Sequence, residues 1–169
     1  MHILDTERLR LRTIGQDDAP FYLALLNSAP FIANIGDRGI RTIEAAREAI
    51  ASGAMAMQSA RGHSIYLVEL KATGEAVGMA GLIKRDTLDD VDLGYGFLPP
   101  HFGQGYASEA ARALLAHARD DIGLRRLVAI TSPHNDASHA LLLKIGMRLE
   151  GVVRLTPDDA GTRLYAIAL

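Results

Sequence analysis

Between Arg8 and Ile14 the apolar residues Leu9 and Leu11, followed by Thr13, alternate with Arg8, Arg10 and Arg12. That period of two predicts a strand with one packed and one wet face. The three arginines suit either a bound anion or simply solvent. The stretch GQDDAP then supplies turn residues and an N-cap at Asp17 or Asp18, ahead of a helix whose apolar side carries Phe21, Leu25 and Leu26. Residues 27–41 are Gly- and Asn-rich and without period, which reads as a loop, and a second helix is expected from Thr42 through IEAAREAIASGAMAMQ. Further on, the pattern predicts strands at 64–70, 76–84, 90–98, 126–131, 148–155 and 163–169, with helices at 106–119 and 136–145. Strand runs broken by a few helices predict an α/β (α+β) fold, one domain over residues 1–169. Its central sheet should be mixed and mostly antiparallel, with about seven strands flanked by about four helices.

The densest signal lies at PPHFGQGYASEAARALLAHA, residues 99–118. Ala107, Ala110, Ala111, Leu114, Leu115 and Ala118 fall at helical spacing on one stripe, and its alanines let the helix approach a sheet closely. Gly103 and Gly105 stand just before the helix N-terminus, where unpaired N–H groups and a partial positive charge suit a phosphate or pyrophosphate. A Walker A loop is excluded because no lysine follows Gly105. A dinucleotide fingerprint lacks its acidic residue after the next strand, which ends AITSPHND. A tight turn without a ligand stays open.

The preceding strand, VDLGYGFLPP, turns Val91, Leu93, Tyr95 and Phe97 one way and Asp92, Gly94, Gly96 and Leu98 the other. One face should pack, and the other should be bare except for a carboxylate. Glycines inside a strand often mark the close approach of a ligand or of another backbone.

Composition narrows the function classes. The 169 residues carry a formal net charge of −2, which gives no electrostatic footprint for nucleic acid. There is no cysteine, which excludes thiolate catalysis, an acyl-cysteine intermediate and a disulfide framework. The opening MHILDTERLRLR lacks a signal-peptide apolar region, and no apolar run approaches about 18 residues, so a cytoplasmic protein without membrane partners is expected. His134 and His139 straddle a helix start with poor spacing for two ligands, and no metal is expected.

Taken together, TERLRLR, TGEAVGMAGL, DLGYGFLPPHFGQGYASEA and NDASHALLLKIGM resemble the GNAT superfamily of acetyl-CoA-dependent N-acetyltransferases, and in particular its RimJ/RimL-like branch of ribosomal-protein N-terminal acetyltransferases. The likeness covers essentially the whole chain. It implies that acetyl-CoA is the co-substrate, and that the backbone amides of Gly103, Gln104, Gly105, Tyr106 and Ala107, next to Phe102, cradle its pyrophosphate. It also implies that the backbone of Phe97 and Leu98 pairs with the pantetheine arm, that Asn135 orients that arm or the acetyl group, and that Lys144 reaches the coenzyme's phosphates. Two positions depart from the pattern. Pro100 stands where the superfamily loop usually begins with Arg or Gln, and Leu142 where many relatives carry a tyrosine acid.

Acetyl transfer to an amine needs a base for the ammonium proton, donors for the developing oxyanion and a proton for the departing thiolate. Ser138 matches the branch and is the candidate acid; as a hydroxyl in a first helical turn it could equally cap local amides. Asn135 could likewise cap the helix starting at Asp136. Asp92 is the candidate base, on the bare face of the ligand strand, with Glu69 as its rival and a water chain as a substitute for either. The backbone N–H of Phe97 or Leu98 is the expected oxyanion donor. The expected reaction is direct attack of a primary amine on acetyl-CoA in a ternary complex. A ribosomal-protein N-terminus, a polyamine, an amino acid or an aminoglycoside would each serve as acceptor, and monomer and homodimer are both open. An acyl-CoA-binding module without transferase activity is the alternative.

Overall fold

Of the alternating arginines, Arg10 and Arg12 belong to β2 (Leu9–Thr13), which pairs antiparallel with β1 (His2–Asp5), a strand hidden in the charged opening of the chain. The computed structural model describes residues 1–169. After β2 come α1 (Ala19–Leu26), α2 (Ala29–Asn34) and α3 (Ile43–Ile50), which runs through a wide π-helical turn, Ala51–Met55, into α4 (Ala56–Arg61). Gly62, at φ 75°, ends this long helix in the left-handed conformation that glycine adopts freely. Strands β3 (Ile65–Leu70), β4 (Ala76–Ile83) and β5 (Asp92–Phe97) follow, then α5 (Tyr106–Asp120), β6 (Arg126–Thr131), α6 (Asp136–Lys144), β7 (Arg148–Val153) and β8 (Thr162–Ala168).

All eight strands form one sheet in the order β1-β2-β3-β4-β5-β6-β8-β7. Every neighbouring pair is antiparallel except β5 and β6, which run parallel and pair only at Asp92 and Val128. Val128 N–H donates to Val91 O at 3.0 Å, and beyond that point the two strands share no ladder. The sheet is therefore two antiparallel halves joined at the start of β5 and open toward its end. Neither backbone edge within that opening has a partner strand, which is what a ligand adding itself as a strand requires.

Alternation along the strands divides the core. Tyr66, Val68, Ala80, Leu82, Leu93, Phe97, Leu127 and Ala129 point to the side of α5 and α6 and bury against Ala110, Ala111, Leu114, Ala118 and Leu142. Leu67 and Met79 point the other way, onto Leu25, Leu26, Ala46 and Ile50 of α1 and α3. The alanine stripe read from the sequence is thus the face on which α5 lies against β2, β4 and β5. A larger side chain such as leucine at Ala111 would overpack it at a cost of about 1–3 kcal/mol.

Two expectations change. The sheet gains β1, whose short alternation is obscured by a charged neighbourhood. Residues 27–41 are not all loop, because α2 forms inside them, with Phe31 laid over Gly96. The Asp92–Gly94–Gly96 face is consequently covered: a Cβ on Gly96 would stand 3.4 Å from Phe31 Cδ2, and one on Gly94 would stand 2.8 Å from Ile83 Cδ1. Gly96 makes room for α2, and Gly94 for Ile83, where a bare face was expected.

Candidate active site

The loop between β5 and α5 follows from its prolines and glycines. Pro99 and Pro100 open a 3₁₀ turn, Pro99–His101, closed by the Phe102 N–H donating to Pro99 O at 3.1 Å. Gly103 and Gly105 then adopt φ of 75° and 79°, which sterics reserve largely for glycine. As a result, the six successive backbone N–H groups from Gly103 to Ser108 have no acceptor in the molecule, and the first helical bond of α5 runs from Glu109 N–H to Gly105 O at 3.0 Å. A row of free amides at the mouth of a 15-residue helix is an anion cradle. Gly103, Gln104, Gly105, Tyr106 and Ala107, all expected to contribute amides, lie together there, and Phe102 is exposed beside them.

The opening between β5 and β6 is lined by backbone of definite polarity. Leu98 N–H donates to Val77 O at 3.0 Å, and Leu98 O accepts from His101 N–H at 3.0 Å, so the polar groups of Leu98 are engaged with β4 and the turn. In an antiparallel pair the hydrogen-bonded positions alternate, so Gly96 and Gly94 also face β4, while Phe97 and Tyr95 direct N–H and C=O toward the opening. The backbone of Leu98, expected to face a ligand, is thus engaged within the molecule, and the residues whose backbone faces the opening are Tyr95 and Phe97. At the opposite edge, Thr131 Oγ1, on the last residue of β6, is buried at 6% exposure without a hydrogen-bond partner.

Asp92 sits where the two halves of the sheet still touch, with its side chain 1% exposed and ion-paired to Arg85. Burial pushes its carboxyl above the ordinary aspartate value, and the Arg85 guanidinium only partly offsets this. Glu69, the rival, lies on β3 with β4 between it and β5, and its Oε1 accepts from Arg12 Nε at 2.8 Å. Arg12 also holds Asp18 at 2.8 Å, and Arg10 holds Asp5 at 3.0 Å, so the basic face of β2 is occupied by carboxylates.

Beyond β6, Asn135 caps α6, its Oδ1 accepting from Ser138 N–H at 3.2 Å. This leaves Ser138 Oγ free to meet the Tyr95 hydroxyl at 2.7 Å. Burial pushes the Tyr95 phenol up to about 12, against the effect of its Ser138 hydrogen bond. Leu142, where many relatives carry a tyrosine, is buried in the core at 1% exposure and brings no hydroxyl to the opening. Lys144 ends α6, exposed and without an ion pair, and its carbonyl accepts from Arg112 Nη2 at 3.3 Å. Arg112 lies in the second turn of α5, so the end of α6 is tied to α5 one turn beyond the amide cradle. His134 Nε2 bonds Ala33 O at 3.0 Å and His139 Nδ1 bonds Tyr165 OH at 2.6 Å, on separate partners.

The structure thus brings together Asn135, Ser138 and β5, and keeps Glu69 apart. Tyr95 is not among the residues the sequence singles out, because its place between Leu93 and Phe97 reads as core; the one signal is a lone hydroxyl on an apolar face. Two further bonds, Ser132 Oγ to Asn34 O at 2.8 Å and His134 to Ala33 O, tie the end of α2 to the turn before α6. Nothing in the spacing of residues 33 and 134 announces that tie.

Residues 8–148 match the family model described as Acetyltransferase (GNAT) domain. The chain is 32% identical, over 98% of its length and 96% of the relative's, to the uncharacterized N-acetyltransferase YoaA of Bacillus subtilis (strain 168). A solved acetyltransferase from Agrobacterium tumefaciens str. C58 superposes with a TM-score of 0.80 at 30% identity, covering 97% of this chain and 92% of that one. The fold is also that of the Salmonella typhimurium acetyltransferase that modifies the N-terminal serine of ribosomal protein L7/L12, with a TM-score of 0.81 at 22% identity over 100% and 99% of the two chains. No helix of the molecule is long and apolar enough to cross a membrane.

Proposed function

The chain belongs to the GNAT acetyltransferase family and transfers an acetyl group from acetyl-CoA to an amine, and from that premise we propose how its own residues divide the work. The observation that carries the proposal is the continuity of two features: six unpaired amides at the mouth of α5 and an unpaired strand edge on β5 leading away from them. The pyrophosphate lies on the amides of Gly103 to Ser108, and the pantetheine arm runs into the opening as an added strand along Tyr95 and Phe97.

In the reaction the amine nitrogen attacks the thioester carbonyl carbon, and the carbonyl oxygen becomes an oxyanion. The N–H of Phe97, directed into the opening, donates to it. Collapse breaks the C–S bond and releases the coenzyme thiolate. Ser138 Oγ gives that sulfur its proton and recovers one from Tyr95, its hydrogen-bond partner, and the second proton that the attacking nitrogen sheds as the C–S bond breaks returns through water to Tyr95. The ammonium proton of the acceptor passes to Asp92, whose burial makes it a stronger base than an ordinary aspartate. Asn135 holds Ser138 in place through the cap and is a positioning residue.

The acceptor enters beside α2, the α3–α4 helix and the last strands, the walls that differ most from an unadorned sheet. The fold shared with an L7/L12 acetyltransferase supports a peptide N-terminus as the first acceptor to test, with polyamines, amino acids and aminoglycosides beside it. Thiol release from acetyl-CoA across such a panel tests the proposal, and release that no amine stimulates would count against it.

A further inference from the structure

The pyrophosphate loop has Pro100 where a side chain able to grip a phosphate would begin it. A cation nevertheless reaches the loop, from the other end of the chain. Arg8, just before β2, donates its backbone N–H to Glu109 Oε1 at 2.8 Å and its Nε to Glu109 Oε2 at 2.7 Å. Its Nη1 donates to Gln104 O at 2.8 Å, and its guanidinium carbon lies 4.7 Å from the centre of the Tyr106 ring. Three sides of the guanidinium are thus fixed to the loop and the first turn of α5. The remaining nitrogen, Nη2, makes no hydrogen bond within the molecule and stands 3.3 Å from where a Cβ on Gly105 would be.

Glu109 explains why so much is spent on this contact. A carboxylate in the first turn of α5 would repel an anion at the same helix mouth. Here it accepts from Thr6 Oγ1 at 2.6 Å as well as from Arg8, so its charge is matched and its oxygens are turned toward β2.

We propose that Arg8 is the guanidinium of the coenzyme site: Nε and Nη1 set the loop through Glu109 and Gln104, and Nη2 donates to the pyrophosphate, the contact that Pro100 cannot make. The proposal rests on the reading that the amides of Gly103 to Ser108 hold that pyrophosphate. It gives the first arginine of the alternation a role that Arg10 and Arg12, each closed onto carboxylates, do not share.

The test compares acetyl-CoA with S-acetylpantetheine, a thioester that lacks the pyrophosphate, in the wild type, Arg8→Ala, Arg8→Lys and Glu109→Gln. Arg8→Ala should raise the KM for acetyl-CoA on the order of ten- to a hundredfold, the range of one charge-assisted hydrogen bond, with kcat nearly unchanged. It should leave kcat/KM for S-acetylpantetheine at the wild-type value. Arg8→Lys, which keeps the charge but loses the fork, should fall between, and it carries the same comparison if Arg8→Ala fails to fold. Glu109→Gln breaks the ion pair but keeps Nη2, and should raise the KM for acetyl-CoA far less than Arg8→Ala does. Equal losses with both thioesters, or equal KM in Glu109→Gln and Arg8→Ala, would make Arg8 a structural strut and overturn the proposal. If coenzyme A fails to raise the melting temperature of the wild type, the underlying site reading fails; if it raises wild type and Arg8→Ala equally, only the role of Arg8 does.

Discussion

The Tyr95 hydroxyl stands 2.7 Å from Ser138 Oγ, so the ligand strand and the helix beyond the opening meet through one hydrogen bond. Ser138→Ala should lower kcat by about tenfold at an unchanged acetyl-CoA KM, a modest loss because a thiolate whose conjugate acid has a pKa of about 8.5 leaves readily. Tyr95→Phe, which keeps the packing, should lower kcat less. The double variant should lose no more than Ser138→Ala alone, since the two act as one unit. With its phenol pushed up to about 12, Tyr95 stays protonated through neutral pH and contributes no alkaline limb below pH 9 to the kcat profile. Multiplicative losses in the double variant would separate the two residues.

Gly105→Val should raise the KM for acetyl-CoA strongly. Its φ of 79° disfavours any β-branched residue, and a Cβ there would crowd Arg8 Nη2 at 3.3 Å. Gly105→Ala should show a smaller rise. An unchanged KM in the valine variant would move the pyrophosphate elsewhere.

Asp92→Asn should lower kcat at neutral pH with little change in coenzyme binding. Because burial raises the Asp92 carboxyl, kcat in the wild type should fall as pH drops through a value above the ordinary aspartate range, and this acid limb should vanish in Asp92→Asn. Full activity in the variant would remove Asp92 from the reaction and leave the proton to water.

Glu109 makes a stability prediction of opposite sign. Burial raises its carboxyl, but bonds from Thr6 and Arg8 more than offset this, so it sits below the usual glutamate value in the folded chain. The stabilisation is present above the unfolded-state pKa of about 4.3 and is lost as pH falls through the folded one. Glu109→Gln should therefore flatten the dependence of Tm on pH between about 5 and 3.

Much of this was legible in the chain, because period and glycine placement are local. The β2 alternation, the α5 stripe and the cradle glycines lie where the pattern puts them. What was not legible arises from contacts between distant residues. The ladder places Leu98 against Val77, which turns Tyr95 rather than Leu98 toward the opening. Phe31 covers Gly96 only because α2 forms within a stretch whose composition resembles a loop. Arg8 meets Glu109 and Gln104 across about a hundred residues, and no spacing rule links them.

The most direct test of the central claim is amine-dependent release of coenzyme A thiol from acetyl-CoA, read together with the mass of the acceptor. The account predicts that release rises with amine concentration, saturates in acetyl-CoA, and yields an acceptor one acetyl group heavier. Acetyl-CoA that binds and stabilises the protein, yet releases no thiol with any peptide N-terminus or small amine, would contradict it and leave a coenzyme-binding module instead.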